Sequence, residues 1–144
     1  MENNSSFETI KEEITNTLHN NEYMSILGIE LISLKEGYAK GKIELKEKHL
    51  NPYGSVHGGC LYSLADTICG FAACTFGCYS STISGTMNFI KPAMNTKNIY
   101  CTATKVRQGK SIAFYNAEIT NDNGEILETG SFSFYILKST KFNN

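Results

Sequence analysis

The sequence predicts an α+β domain in which a curled antiparallel sheet of about six strands wraps one long central helix. Three observations predict it. Residues 56–76 form a helix-length stretch whose apolar side chains (Leu61, Leu64, Ile68, Phe71 and Phe76, with small Cys and Ala residues between) cover most of the circumference. A helix apolar nearly all round must be buried. The flanking segments alternate apolar and polar residues with the two-residue period of half-buried strands. Short Gly- and Asn-rich turns join several of them, which makes those neighbours antiparallel. A sheet that encloses such a helix has to curl around it.

Residues 1–6 (MENNSS) carry no apolar period and read as frayed. Ser5 or Ser6 then caps an amphipathic helix over residues 7–20, with Phe7, Ile10, Ile14 and Leu18 on one face. Strands are expected over 26–33 and 38–45, around the turn Lys35-Glu36-Gly37. In the second, Ala39, Gly41, Ile43 and Leu45 alternate with Lys40, Lys42, Glu44 and Lys46, one dry face and one wet. Residues 49–54 form a loop, since Pro52 keeps Asn51 out of the helical region. The central helix runs from about Val56 to Phe76 and leaves through Gly77. Four strands follow as a meander over 82–90, 98–107, 111–120 and 125–138, with tight turns at Gln108-Gly109 and Asn121-Asp122-Asn123-Gly124. In the last, Phe132, Phe134 and Ile136 alternate with Ser131, Ser133 and Tyr135. With 144 residues, 41% of them hydrophobic and 19% charged, all this makes a single domain over 1–144.

Composition excludes several classes of function. A formal net charge of −1 provides no global field for nucleic acid or an anionic membrane. Asp66, Ser63, Thr67 and the glycines interrupt the apolar run 58–79, and no basic anchors flank it, so no membrane span is expected. Cysteines stand at 60, 69, 74, 78 and 101, but no Cys/His set closes a tetrahedral site. They read as small buried hydrophobes, and no metal is expected. Free thiols and the lack of a basic segment leading into an apolar one point to a reducing cytoplasm.

Between His49 and Ile90 the chain holds one formal charge, Asp66. A carboxylate in so apolar a stretch is costly to bury unless partners or a task keep it there. Gly58-Gly59 opens the same helix and leaves backbone N–H groups available to a polar ligand. Eight residues separate Gly58 from Asp66, or about 12 Å of helix at about 1.5 Å per residue. One carbonyl cannot be gripped by the Gly58 N–H and attacked through Asp66 of the same helix. Either the two groups serve different purposes, or a second copy supplies one of them across a two-fold axis.

The run Asn51-Pro52-Tyr53-Gly54-Ser55-Val56-His57-Gly58-Gly59, followed by Leu64-Ala65-Asp66 and Gly70, resembles the hotdog-fold acyl-CoA thioesterases. It is most similar to the phenylacetate-degradation (PaaI-like) type of the 4-hydroxybenzoyl-CoA thioesterase superfamily. The resemblance continues through Ser84–Ala93 and Arg107-Gln108-Gly109-Lys110 and covers roughly residues 20–138. It implies a thioester hydrolase that releases a free acid and coenzyme A without metal or bound cofactor. It also implies a homodimer with sites shared between chains, pairing into a tetramer being left open.

The resemblance gives the Gly58 N–H the task of polarising the carbonyl, and Asp66 that of general base or nucleophile. Asn51 holds a water or the substrate carbonyl, unless it serves only the turn before Pro52. The Ser84 hydroxyl matches one that positions the water. His57 is a further candidate, better suited to bracing the loop or lining the pocket than to taking a proton. Gly59 borders the substrate, and Lys91, Arg107 and Lys110, at strand ends and turns, meet the phosphates of coenzyme A. Two other readings remain: a non-catalytic acyl-CoA binder that reports ligand to a partner, and a hotdog enoyl-CoA hydratase or dehydratase.

Overall fold

The elements of the computed structural model, which describes the backbone of residues 2–142 and the side chains of 6–142, follow closely from the pattern of the sequence. They run α1 (Glu2–Asn20), α2 (Glu22–Leu27), β1 (Ile29–Lys35), β2 (Tyr38–Glu44), a 3-10 turn (Glu47–His49), α3 (Gly58–Cys74), β3 (Tyr79–Phe89), β4 (Asn98–Gln108), β5 (Ile112–Thr120), β6 (Ile126–Leu137) and a second 3-10 turn (Lys138–Thr140). The six strands form one sheet, antiparallel at every pairing. It curls around α3, whose Leu64, Ala65, Ile68, Cys69 and Ala72 are fully buried.

The inward side chains of the sheet explain how the helix lies so close. Ala39 and Ile43 on β2, Ile99, Cys101 and Ala103 on β4, and Ala113, Ala117 and Ile119 on β5 form the floor under α3. Most are small, so the helix axis approaches the backbone of the strands. Gly41 marks one such close approach: a Cβ there would collide with the Ile68 side chain and stand 2.9 Å from the Glu30 carbonyl oxygen. Gly41→Ala is expected to cost about 1–3 kcal/mol through overpacking, read as a lowered thermal midpoint.

The structure corrects the expected chain path at three places. β3 is not part of a meander. The order is β1-β2-β4-β5-β6-β3, so β3 pairs with β6 at the edge of the sheet, and residues 90–97 carry the chain across to β4. Asp122, in the β5–β6 turn, fastens this crossing by accepting from the backbone N–H groups of Lys97 (2.7 Å) and Asn98 (3.2 Å). Those bonds, led by the one from Lys97, hold its carboxyl down to about 2.

The second correction is α2, which occupies the start of the strand expected at 26. Asn21 Oδ1 accepts from the Met24 N–H and caps it, and Gly28 ends it at φ 75°. The third is α1, which begins at Glu2 rather than at a Ser5 or Ser6 cap, so the segment expected to fray is helical from Glu2. Met1 lies outside the described residues.

Candidate active site

The loop that leads into α3 is held by its own side chains. Asn51 Oδ1 accepts from the N–H groups of Tyr53 (2.9 Å) and Ser55 (3.2 Å), and Asn51 Nδ2 donates to Ser55 Oγ (2.8 Å). The turn reading of Asn51 is therefore met, and one amide hydrogen remains for a ligand. His57 caps α3: its Nδ1 accepts from the Gly59 N–H at 2.9 Å, which puts the proton of the neutral ring on Nε2. The Gly59 donor is thus already engaged. Gly58, the first helical residue, has no intrahelical acceptor for its N–H, and none of the described residues supplies another.

The ring of Phe89 closes over this point, 3.2 Å from where a Gly58 Cβ would stand. Glycine at 58 is therefore needed for packing as well as for ligand access. Around it lies a cavity of about 240 Å³ whose walls include Asn51, Ser55, Gly58, Phe89, Lys91 and Glu128.

Glu128 was not anticipated. It sits on β6 at 1% exposure, its Oε2 meets no hydrogen-bond partner among the described residues, and burial raises its carboxyl to about 8. The signal was in the alternation of β6. Phe132, Phe134 and Ile136 face inward, so position 128 shares their parity and an acid there points to the core.

Asp66 lies elsewhere, half-buried on α3, and accepts from Thr82 Oγ1 of β3 at 2.7 Å. Ser84 is not beside it. A bulge between Thr82 and Ser84 shifts the register, so Ser84 pairs with Ser133 and their hydroxyls meet at 2.8 Å on the outer face of the sheet. The hydroxyl at Asp66 is that of Thr82. His49, in the loop that leads into α3, is buried. Its Nδ1 accepts from the Lys46 N–H and its Nε2 donates to the Leu27 carbonyl, tying the loop to α2.

These groups stand at two separate places in one chain. Gly58, Asn51, Lys91 and Glu128 share the first; Asp66 and Thr82 make the second, eight residues along an unbroken helix. The three candidate cations divide in the same way. Lys91 borders the first cavity and is paired with Glu125 at 2.7 Å. Arg107 is aligned through Phe114 and Ser133 with Ser84, at the level of Asp66, and Lys110 is in the turn beyond it. Ser84 and Phe89 are five residues apart on β3, about 17 Å of strand. Among the described residues no cluster of three or more His, Cys, Asp or Glu could hold a metal ion, and no helix is long and apolar enough to cross a membrane.

Known proteins share both the family and the fold of this chain. The family model described as the thioesterase superfamily matches residues 53–128, which span the exit of the Asn51 loop, all of α3 and strands β3 to β5, and end at Glu128 near the start of β6. The chain belongs to the thioesterase superfamily. The thioesterase is 36% identical over 95 residues to the acyl-coenzyme A thioesterase PaaI of Escherichia coli K12, covering 66% of this chain and 68% of that protein. It is 28% identical over 127 residues to human acyl-coenzyme A thioesterase 13, covering 85% and 91%. The solved structure of the E. coli PaaI protein from the phenylacetic acid degradation operon has a TM-score of 0.85 at 27% identity, over 90% of this chain and 94% of that one. The expected hotdog fold and PaaI-like kinship hold, and the thioesterase is a thioester hydrolase of the acyl-CoA type.

Proposed function

We propose that this thioesterase hydrolyses an acyl- or aryl-CoA thioester to the free acid and coenzyme A, in a site completed by a second copy of the chain. The observation that supports it best is the division of the site. The free Gly58 N–H and the Thr82-bound Asp66 lie at separate places on one rigid helix, too far apart to act on one carbonyl. Two copies related by a two-fold axis, with their α3 helices antiparallel, bring each Gly58 to the other's Asp66 and generate two equivalent sites. β3 suits such pairing, being an edge strand with Ile83 exposed. Pairing of two dimers into a tetramer is part of the same reading, as is a cytoplasmic setting. No metal or bound cofactor enters the reaction.

In this arrangement the thioester carbonyl oxygen accepts from the Gly58 N–H at the positive end of α3, which stabilises the oxyanion as charge develops there. Asp66, oriented by the Thr82 hydroxyl, takes a proton from the attacking water, or attacks the carbonyl carbon itself to form a mixed anhydride. The spare amide hydrogen of Asn51 holds the carbonyl or the water. His57 acts through the cap it places on α3, keeping the Gly58 N–H aimed outward. Lys91 from one chain, with Arg107 and Lys110 from the other, meets the phosphates of coenzyme A.

The test is thiol release from a panel of phenylacetyl-, hydroxybenzoyl- and medium-chain acyl-CoA substrates. Wild type is expected to turn over at least one, and Asp66→Asn to lose turnover by a factor of about 10³ or more while retaining acyl-CoA binding. Binding without turnover in wild type would favour a regulatory acyl-CoA binder. Hydration of crotonyl-CoA without thiol release would favour a hydratase.

A further inference from the structure

One group in the Gly58 cavity has no task in the proposed hydrolysis. Glu128 is buried to 1% exposure, and no residue described in the chain partners its Oε2. An unpaired buried carboxyl costs stability, and structures retain such groups where they serve the site. The neighbours offer no relief. Across β3 and β5 its register partners are Phe89 and Ile119, both apolar. The titratable groups that feel it are Cys60 on α3 and Cys101 on β4, thiols that burial holds in their neutral form. Lys91, on the cavity wall, pairs with Glu125 and not with Glu128. The cavity that Glu128 lines is the one that contains the free Gly58 N–H.

We propose that Glu128 is the proton donor to the departing thiolate, the acid that complements Asp66 in the completed site. This rests on the thioesterase reading given above. The sulfur and the carbonyl oxygen of a thioester share one carbon, so a group in the Gly58 cavity is near both. When the tetrahedral intermediate collapses, the C–S bond breaks and its electron pair passes to sulfur, which takes the proton of the Glu128 carboxyl. Glu128 is left as a carboxylate and regains a proton from solvent. The proton that Asp66 took from water returns to solvent, so thioester and water become acid and thiol with nothing left over. Opposite surroundings divide the two acids between the two roles. Glu128 is desolvated and unpartnered, whereas Asp66 is half-exposed and accepts a hydroxyl. A carboxyl at about 8 is well matched to a leaving thiol of the ordinary alkyl kind, near about 8.5.

Leaving-group dependence tests the proposal. Glu128→Gln and Glu128→Leu are compared with wild type on an acyl-CoA and on the same acyl group carried by 5-thio-2-nitrobenzoate, an aryl thiolate that departs without a proton. Glu128→Gln is expected to lower kcat about 100-fold on the CoA thioester and to leave kcat on the aryl thioester unchanged. The wild-type fall in kcat above about pH 8 on the CoA thioester should vanish in both variants. Equal losses on both substrates, or no loss on the CoA thioester, would overturn the proposal. Should Glu128→Gln not fold, Glu128→Leu gives the same contrast. A wild type that releases no thiol from any acyl-CoA defeats the thioesterase reading itself, whereas an active wild type with an unaltered Glu128→Gln defeats only this one.

Discussion

Mixed dimers of Asp66→Asn and Gly58→Val are expected to recover activity that neither variant shows alone. Asp66→Asn removes the base or nucleophile from the Thr82 half-site. Gly58→Val fills the space in front of the one free N–H of α3 and presses on Phe89, which already stands 3.2 Å from a Cβ at that position. Each homodimer carries the same lesion in both of its sites. In a dimer with one chain of each kind, one site collects both lesions and the other collects neither. Equal co-expression with random pairing makes half the dimers mixed, each with one intact site, so turnover should return to about a quarter of wild type. The measurement is kcat of the mixture after unfolding and refolding together, against the two variants refolded apart. If a single chain held the whole site, no pairing would restore anything, and the mixture would stay as inactive as its parts. The experiment therefore discriminates between shared and self-contained sites without a structure of the dimer.

What the sequence revealed and what it hid divide along a physical line. α3 was legible because burial on all sides leaves a long run with only Asp66 charged, and β2 and β5 because one wet and one dry face impose strict alternation. The position of β3 was not legible. Which strand it joins is decided by long-range pairing with β6, and the crossing at 90–97 is fastened by Asp122, far off in sequence. α2 was hidden because six residues are too few to show a helical period; only the Asn21 cap and Gly28 stop announce it. Asn51 and Gly58 line one cavity, and His57 caps the helix that borders it. The contact of Ser84 with Ser133 was not legible, because a single bulge after Thr82 shifts the register of β3 and no alternation rule anticipates it. Glu128 could have been found, since an acid in phase with Phe132, Phe134 and Ile136 contradicts the pattern of its own strand.

That contradiction has a measurable thermodynamic consequence. Glu128→Leu should stabilise the fold by about 1–3 kcal/mol near pH 6, because it replaces an unpartnered buried carboxyl with an apolar side chain of similar size. The effect should grow with pH. An unfolded chain ionises Glu128 near its ordinary 4.5, while the folded chain keeps the proton until about 8. Between those values the native state holds a proton that the unfolded state has lost, so rising pH favours unfolding. The stability from this group is complete below about 4.5. It declines through neutrality with a slope of up to about 1.4 kcal/mol per pH unit. It levels off above about 8. Urea unfolding at pH 5, 7 and 8.5, at one protein concentration so that dimerisation does not shift the midpoint, should show that slope in wild type and its loss in Glu128→Leu. An identical pH dependence in the two proteins would mean that Glu128 ionises freely in the folded state, and with that its place as a buried acid would be lost. A variant that is more stable yet slower on CoA thioesters would show that the fold tolerates the cost of this carboxyl for the sake of the site it lines.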